Sequence, residues 1–576
     1  MKFSEFAMVL EEVEQTSSRL EMTRLLAGIF EEMSADEIKI ASYVLGGDLN
    51  PPYVGTIFGI AEKGMKQLLE TELEIDVADF NAAVKNLGDL GLVFEAYKDE
   101  TQRVNYTLED VYDKLKEIEA TVGTGSQERK AELFTQLLHD VDGRAGKYLV
   151  RIVIGKLRLG VSDMTIIDAL SWMIIGGKSL RTKIEDAYNK SADIGFVAHM
   201  LKTSGIKSLE KISVTPGVPV RPAAAERLKS IEDILKKLGP CVGQPKLDGF
   251  RLQVHKFHDN GDVKVKFFSR NLREMSEMFP ELREAVIKLP ECDFIAEGEA
   301  IAFDEATGTF QPFQQTVKRR RKHGVSEVSE ELPLRLYFFD VLHKGGRSLL
   351  EHSHTDRRSA LEKLVPRKHE GVLHVIEEWK FEDAAELRKK FHAVMDDGLE
   401  GIVLKKPESL YAAGKRNFNW IKLKRDEGAK LLDSIDCVIL GYYPGKGRRA
   451  RLGIGALLVG IFDPESETFQ SVAKVGTGVT DDQLKDLKAE CDKNSVQNQP
   501  KSFDVAKELF PDVWVAPTMV CEVLADEITR SPLHRATSKD DQLPGLALRF
   551  PRFIQIRHDK GPRDATTSEE LKSMMS

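Results

Sequence analysis

The residue run whose types and spacing most clearly suit chemistry is Lys246-Leu247-Asp248-Gly249-Phe250-Arg251. A lysine amine becomes a nucleophile when neighbouring cations or a metal favour its neutral form. The Asp-Gly pair is typical of a tight turn. In the strand that follows, Arg251 lies on the face opposite Phe250 and Leu252 and can point into a phosphate-binding site. An ordinary Asp-Gly hairpin turn has the same sequence, so this run alone leaves both interpretations open.

Four later runs carry charged or aromatic residues in strand-like patterns. Alternation puts Phe338 and Phe339 on opposite faces, so that one can pack while the other stacks on a ring. The same alternation puts Lys422 and Lys424 on one face, where an anion such as a triphosphate would relieve their repulsion. Each pattern also has an ordinary explanation, namely a solvated edge, a core phenylalanine or a solvated basic face. The four runs are Glu297-Gly298-Glu299, Phe338-Phe339-Asp340, Glu400-Gly401-Ile402-Val403-Leu404-Lys405 and Trp420-Ile421-Lys422-Leu423-Lys424.

The elements that must position these residues change in character along the chain. Apolar residues recur with the spacing of one helix face near the N-terminus, at Phe3, Phe6, Ala7, Leu10 and Val13. The proline-rich run VTPGVPVRPAAAERL then marks a linker or an extended start to a new domain. From about residue 240 a period of two appears, with helical runs such as FEDAAELRKKFHAVMDD between the strands.

We therefore predict a multidomain protein with three domains: an all-α domain at 1–212, an α+β domain at 213–427 and a β-barrel at 428–576. After about residue 428 the short strand candidates DCVILGYY, GALLVGIFD, SVAKV, MVCEVLAD and FIQIR, with one helix near 480–492, suit a five-stranded barrel of the OB type. The tail GPRDATTSEELKSMMS is expected to be loosely ordered.

Length and composition bound the class of protein. A chain of 576 residues, 41% hydrophobic and 30% charged, is typical of a globular protein with about three to five domains. No apolar run approaches the ~18 residues of a membrane span, and the acidic, amphipathic N-terminus does not resemble a secretory signal. Five widely spaced cysteines without a CxxC pair disfavour a disulfide framework or a structural zinc site and suggest a reducing interior.

The net charge of −9 argues, taken alone, against a partner as negative as nucleic acid. Net charge is a global sum, however, and a binding face is local. Three basic clusters stand out, at 318–322 (KRRRK), 422–425 (KLKR) and 446–451 (KGRRAR).

In order and spacing, these runs resemble the six motifs of the covalent nucleotidyltransferases, which are DNA ligases, RNA ligases and mRNA capping enzymes. The last motif is Arg549-Phe550-Pro551-Arg552-Phe553, leading into Arg557-His558-Asp559-Lys560. More narrowly, the chain resembles the ATP-dependent DNA ligases of the archaeal and eukaryotic-replicative type over essentially its whole length. KLRLGVSDMTIIDAL is similar to the DNA-binding domain of that family, PGVPVRP to the start of its adenylation domain, and GYYPGKGRRARLGIGALLVG and KVGTGVTDDQL to its OB domain.

The resemblance implies an enzyme that takes AMP from ATP onto Lys246, passes it to the 5′-phosphate of a nick, and seals the nick with release of AMP. It implies ATP and Mg²⁺ as cofactors. Phe339 would stack on adenine, and the OB domain would close so that Arg557 and Lys560 orient the departing pyrophosphate, then swing away to face DNA. The implied nucleotide contacts are Gln244, Lys246, Arg251, Arg270, Glu299, Phe339, Arg416, Lys422 and Lys424, and the metal ligands are Glu299 and Glu400. The implied DNA contacts are Arg158, Lys446, Arg448, Arg449 and Arg451; for the last four, a non-specific solubility patch is the alternative.

The chain departs from the family pattern in two places. Gln244 stands where many relatives carry the glutamate that helps to hold adenine, and Glu297-Gly298-Glu299 replaces the usual Asp-Gly-Glu. No cysteine cluster resembles the zinc site of the NAD-dependent ligases.

Two alternatives stay open: an RNA ligase or capping enzyme, which would lack the long helical domain, and a catalytically silent DNA-binding clamp. The expected partner is nicked duplex DNA, with a sliding clamp as a further candidate. We expect a monomer without membrane attachment in the cytoplasm of a prokaryote.

Overall fold

A computed structural model describes residues 1–98, 104–228, 230–304, 309–311, 316, 319, 332–365, 371–397, 399–424, 434–445, 447–525, 527–538 and 543–574. The chain divides into two units, one of Met1–Met65 with Asp99–Arg425 and one of Lys66–Lys98 with Asp426–Ser576. The predicted boundary between 427 and 428 lies outside the described residues, and the three-domain division stays a prediction. Among the described residues, no helix combines the length and apolar character needed to cross a bilayer.

Helices form the N-terminal region, as predicted. The buried side of the first helix consists of the five apolar residues whose spacing predicted it. Ser18 caps the second helix, where its hydroxyl accepts a hydrogen bond of 3.3 Å from the backbone N–H of Glu21. Among the described residues of this region, the twelve α-helices are α1 Phe3–Gln15, α2 Arg19–Glu32, α3 Ala35–Leu45, α4 Glu62–Glu72, α5 Val77–Leu87, α6 Leu90–Tyr97, α7 Leu108–Ala120, α8 Ser126–Asp140, α9 Gly143–Val153, α10 Asp163–Ile175, α11 Arg181–Ser191 and α12 Ile194–Ser204, followed by a 3₁₀ turn at Ile206–Lys211.

Two sheets follow in the first unit. The smaller sheet has the strand order β1-β12-β11-β2-β10 and packs against α13 and α16 through a shared apolar core. Its elements are β1 Ala224–Arg227, α13 Ile231–Leu238, β2 Cys241–Lys246, β10 Trp379–Phe381, α16 Ala384–Asp396, β11 Gly401–Lys405 and β12 Arg416–Lys424.

The larger sheet has the order β4-β3-β5-β7-β8, with β6 paired to β5 and β9 paired in parallel to β7. Helices α14 and α15 pack on its apolar face, which includes Leu252, Phe267 and Phe338. Its elements are β3 Phe250–Asp259, β4 Asp262–Ser269, a 3₁₀ turn at Ser276–Met278, α14 Pro280–Ile287, β5 Phe294–Asp304, β6 Thr309–Phe310, β7 Leu334–Lys344, β8 Arg347–Ser348, α15 His354–Leu364 and β9 Leu373–Val375. The α+β pattern predicted for this region is thus confirmed.

The C-terminal part of the second unit is built on a curled sheet of order β16-β18-β13-β14-β15-β17, with β19 paired to both β13 and β22. The five predicted strands fall on β13, β14, β15, β19 and β22, and the predicted helix is α17, which begins with a Thr480–Gln483 capping box. The elements are β13 Ile435–Tyr443, β14 Ala456–Asp463, β15 Thr468–Val475, α17 Asp481–Lys493, β16 Ser495–Val496, β17 Phe503–Asp504, β18 Val513–Val515, β19 Val520–Leu524, β20 Glu527–Ser531, β21 Gly545–Arg549, β22 Arg552–Ile556 and α18 Ser568–Ser573, with 3₁₀ turns at Gly447–Leu452, Lys507–Leu509 and Pro562–Asp564.

The expectation of a loosely ordered tail is wrong for residues 561–574. Thr567 and Glu570 form a capping box that starts α18, and Leu571 is fully buried in the core of the second unit. The backbone of Thr566 donates a 2.9 Å hydrogen bond to the Asp436 carbonyl. A single capping box and a single apolar residue are too few to predict an ordered helix in a polar sequence. In the fold, the cap and the burial of Leu571 are enough to hold the segment against the second unit's core.

Candidate active site

A cleft of about 630 Å³ in the first unit is lined by residues of both of its sheets. It gathers nine residues that the sequence singled out, although they are spread along the chain from position 244 to position 424. Arg416, at the first position of β12, is not among the described residues that line it. The nine are Gln244, Lys246, Arg251, Arg270, Glu299, Phe339, Glu400, Lys422 and Lys424.

Lys246 is the last residue of β2, and Leu247 separates it from the Asp248-Gly249 turn. Its Nζ donates to Glu400 Oε2, and Lys424 Nζ forms an ion pair with the other oxygen of the same carboxylate. Burial alone would raise the pKa of Glu400, but Lys246 and Lys424 hold it below its usual value. At Gly249 a Cβ atom would lie 2.3 Å from the Ala300 carbonyl oxygen, so the turn after the lysine needs glycine to pass this strand closely.

Arg251 and Glu299 form a second group in the cleft, and the buried Glu297 lies behind Arg251 as its ion-pair partner. Arg251 Nη2 donates to both oxygens of Glu297 at 3.0 and 2.9 Å, and Nη1 donates to the Ala223 carbonyl at 2.8 Å. Its Nε is buried with no hydrogen-bond partner among the described residues. Glu299 accepts a 3.1 Å hydrogen bond from the Gly249 backbone. Burial raises the pKa of Glu299 to about 7 although Lys246 and Arg251 oppose that rise.

Aromatic and cationic side chains meet on another wall. Phe338 is fully buried in the core while Phe339 lines the cleft, as the alternation predicted. Trp420 stands edge-on to Phe339 with ring centroids 6.3 Å apart. Lys405 Nζ lies 4.2 Å from the Trp420 ring centroid and donates to the Phe339 carbonyl at 3.2 Å. Burial lowers the pKa of Lys405 to about 8, against the opposing charges of Asp340 and Glu378.

The basic face of β12 is also as predicted. Ile421 and Leu423 pack in the core of the smaller sheet, while Lys422 and Lys424 line the cleft. The pKa of Lys422 is lowered, first by burial and then by the cations around it, Lys424, Arg416, Lys246 and Arg270. Arg416 thus acts electrostatically on this group without lining the cleft.

Several residues of the site had no signal in the sequence strong enough to assign them. Lys405 and Trp420 stand inside runs that drew attention for other residues. Glu297 is bound by Arg251 and by the Tyr411 hydroxyl at 2.8 Å. Glu378 accepts a 2.7 Å hydrogen bond from Gln244 Nε2 and lies 2.9 Å from His354 Nε2. The contacts of Glu297 and the Gln244–Glu378 contact join residues that are 46 to 134 positions apart in the sequence. His354 and Glu378 are closer, at 24 positions.

Arg557 and Lys560 belong to the second unit, where both are bound to one carboxylate. Arg557 Nη1 donates to Asp436 Oδ1 at 3.1 Å, and Lys560 Nζ donates to Asp436 Oδ2 at 2.6 Å. Arg557 also forms two hydrogen bonds with Asp559, at 2.9 and 2.8 Å. Asp436, which the sequence did not single out, therefore orients the two basic residues of the last motif.

The basic residues predicted to contact DNA have different surroundings. Arg158 is half-buried in a left-handed backbone conformation between α9 and α10. Arg449 donates to the Gly476 carbonyl at 2.8 Å, whereas Arg451 is largely exposed and 3.9 Å from Asp481. Lys446 and the side chain of Arg448 lie outside the described residues. Of the cluster at 318–322, only Arg319 is described, and it is buried in an ion pair with Glu281 at 2.6 Å.

Comparisons with known proteins cover the whole chain. Three family profiles match, described as "DNA ligase N terminus" at 2–171, "ATP dependent DNA ligase domain" at 222–424 and "ATP dependent DNA ligase C terminal region" at 450–560. The chain is 42% identical to the "Probable DNA ligase" of Dictyoglomus turgidum, covering 100% of this chain and 97% of the relative. It is 34% identical to "DNA ligase 1" of Methanosarcina acetivorans, covering 100% and 99%. A solved structure titled "Pmar-Lig_PreS3" has a TM-score of 0.56 at 19% identity, covering 96% and 99%, and is similar in fold.

Proposed function

Because this chain belongs to the ATP-dependent DNA ligases, whose function is to seal nicks in duplex DNA, we propose that Lys246 is its nucleophile and that the cleft is its adenylation site. The observation that carries this proposal is the contact of Lys246 with Glu400, itself paired with Lys424, inside a cleft that also holds aromatic rings and further cations.

In the first step, the neutral amine of Lys246 attacks the α-phosphorus of ATP. A P–N bond forms, the bond to the β-phosphate oxygen breaks, and pyrophosphate leaves. The 5′-phosphate of the nick then displaces the lysine and takes the AMP. Finally, the 3′-hydroxyl attacks the phosphorus of the 5′-phosphate and gives up its proton to solvent. The phosphodiester P–O bond forms, the bond from this phosphorus to the bridging oxygen breaks, and AMP leaves with that oxygen.

The residues of the cleft fit a nucleotide. The buried Nε of Arg251 lacks a partner among the described residues, and a ribose or phosphate oxygen would satisfy it. Lys422 and Lys424 supply positive charge for the phosphates, with Arg270 on the same cleft. Phe339 presents an aromatic surface for the base.

Two carboxylates fit a divalent cation. Glu299 and Glu400 line the same cleft, and Mg²⁺ prefers carboxylate oxygens completed by water and phosphate oxygens. Burial raises the pKa of Glu299 to about 7 even with Lys246 and Arg251 nearby, so these two cations offset the cost of burying its charge only in part, and a bound divalent cation would offset more of it. When bound, Mg²⁺ would offset the charge of the phosphates.

The remaining assignments extend this proposal to the rest of the chain. We divide it into a helical DNA-binding domain at 1–212, an adenylation domain at 213–427 and an OB-type barrel at 428–576. Arg557 and Lys560, held by Asp436, would act on the departing pyrophosphate. Arg451, with Arg158, Lys446 and Arg448, would contact DNA phosphates, whereas Arg449 is engaged with a backbone carbonyl. We expect a cytoplasmic monomer, with a sliding clamp as a candidate partner.

Intact mass measured after incubation with ATP and Mg²⁺, followed by a chase with nicked duplex DNA, tests the proposal. The wild type should gain one AMP and lose it to nicked DNA with sealing, whereas Lys246→Ala should gain none. Lys264→Ala, which removes an exposed lysine from β4, is the matched control and should behave as the wild type. No gain by the wild type would support the silent clamp instead. An AMP that nicked RNA discharges but nicked DNA does not would support the RNA ligase.

A further inference from the structure

The amide of Gln244 is held from within the protein. Its Nε2 donates to Glu378 Oε2 at 2.7 Å and approaches the Phe339 carbonyl at 3.4 Å. Gln244 is only 2% exposed, yet it lines the cleft two residues before Lys246. Glu378 directly precedes β10, whose first residue, Trp379, pairs with Gly243 on β2, next to Gln244.

The chemistry of Glu378 decides which way this amide points. An amide has a donating end and an accepting end, whereas an ionised carboxylate only accepts. Burial would raise the pKa of Glu378, but hydrogen bonding and charge from His354, with Lys405 and Arg358, hold it below its usual value. An ionised, half-buried carboxylate at this distance accepts a hydrogen bond and therefore requires the N–H₂ end of Gln244 on its side. With both N–H groups facing protein oxygens, Oε1 is the polar atom that Gln244 has left for the cleft.

We propose that Glu378 is a positioning residue that fixes the Gln244 amide with Oε1 toward the bound base, so that the site selects a base with a 6-amino group over one with a 6-oxo group. An acceptor at this place pairs with an amine and repels a carbonyl oxygen. A glutamate at position 244 would be an acceptor in either orientation. A glutamine needs a neighbour to fix its orientation, and Glu378 is that neighbour. The inference rests on the proposed function, in which this cleft binds the nucleotide.

The test compares the rates of nucleotidyl transfer to the enzyme from ATP and from ITP, whose base carries 6-oxo in place of 6-amino. The wild type should prefer ATP by about 10- to 100-fold, the range expected for one hydrogen bond exchanged for a repulsive contact. In Glu378→Gln the new amide can donate to Gln244 Oε1, so Gln244 can turn its N–H₂ toward the base. The ATP-to-ITP ratio should then fall about tenfold, in line with the loss of a buried hydrogen bond.

Two further variants separate positioning from general damage. Glu377→Gln changes the exposed neighbouring residue and should keep the wild-type ratio. The double variant Gln244→Glu with Glu378→Gln again places an acceptor toward the base and should restore the preference for ATP. Because each ratio compares two substrates on one preparation, a partly unfolded sample does not change it.

Three outcomes would overturn the inference. The ratio of Glu378→Gln could equal that of the wild type. The double variant could discriminate no better than the single variant, in which case loss of selectivity reflects a disturbed site. Finally, the wild type could take up neither nucleotide. This result would overturn the proposed function as well, and the complete absence of nucleotide transfer distinguishes it from the first two outcomes.

Discussion

Asp340, the residue after Phe339, forms a buried ion pair with Arg357, and breaking this pair should lower the free energy of unfolding. Asp340 and Arg357 have fully buried side chains. Arg357 Nε donates to Asp340 Oδ1 at 2.8 Å, and Nη2 donates to Oδ2 at 3.2 Å. Arg357 Nη1 also donates to the carbonyls of His352 and Ser409 at 2.7 and 3.2 Å. The perturbation is Arg357→Met, which keeps much of the volume and removes the charge and all of these donors.

The expected loss follows from what remains around Asp340. Removing one member of a buried ion pair typically costs about 3–5 kcal/mol, because the other charge stays buried without its partner. Lys405 Nζ lies 3.8 Å from Asp340 Oδ2 and compensates part of that charge. We therefore expect Arg357→Met to lower the free energy of unfolding of the first unit at pH 7 by about 3 kcal/mol, the lower end of that range. Arg357→Met combined with Asp340→Asn should cost less than the sum of the two single variants.

The same pair predicts a pH dependence with a definite sign. Arg357 and Lys405 hold the pKa of Asp340 well below its usual range against the opposing effect of burial. The stabilisation is thus present above the unfolded pKa, about 3.9, and is lost as the pH falls below that value toward the folded pKa. The difference between the wild type and Arg357→Met should shrink accordingly in acid.

Urea unfolding followed by tryptophan fluorescence measures these free energies. The control is Arg388→Met, which breaks the exposed ion pair of Arg388 with Glu232 and should cost less than about 1 kcal/mol. A loss for Arg357→Met no larger than for Arg388→Met would refute the reasoning, since burial would then make no difference to the pair.

Three further changes test other parts of the structure. Leu571→Ala should cost about 2–5 kcal/mol of unfolding free energy, because Leu571 is fully buried; an unchanged thermal midpoint would mean that the tail is not packed. A thiol reagent should label the native protein at Cys292, since the other four cysteines are buried, and Cys292→Ser should abolish the fast reaction. Gly249→Ala should strongly reduce AMP uptake on Lys246, because the new Cβ would meet the Ala300 carbonyl at 2.3 Å; wild-type uptake would contradict this.

The parts of the site that could be predicted from the sequence depend on local periodicity. The alternation of a strand is a property of consecutive residues, so the opposite faces of Phe338 and Phe339 could be predicted without any tertiary information. The same holds for Lys422 and Lys424, whose neighbours Ile421 and Leu423 are in the core. Helix α1 was predictable for the corresponding reason, since its buried side follows the helical period.

What could not be predicted depends on contacts between distant residues. Lys246 and Glu400 are 154 positions apart, and Gln244 and Glu378 are 134 apart. Neither pairing leaves a trace in the composition or spacing near either residue. The resemblance to a family supplied the members of the site but not their partners, which is why Glu378 and Asp436 were missed.

The arrangement of charge explains how a chain with a net charge of −9 can bind polyanions. The cleft concentrates lysines that repel one another: burial and the surrounding cations lower the pKa of Lys422. Glu400 bridges Lys246 and Lys424 and so balances only part of this charge. A triphosphate would compensate the rest in a partly buried site, where the interaction is stronger than in water. We therefore expect polyanion binding to depend on a few half-buried cations and the carboxylate that two of them share, and the net negative charge of the chain does not cancel them, because salt screens distant charges.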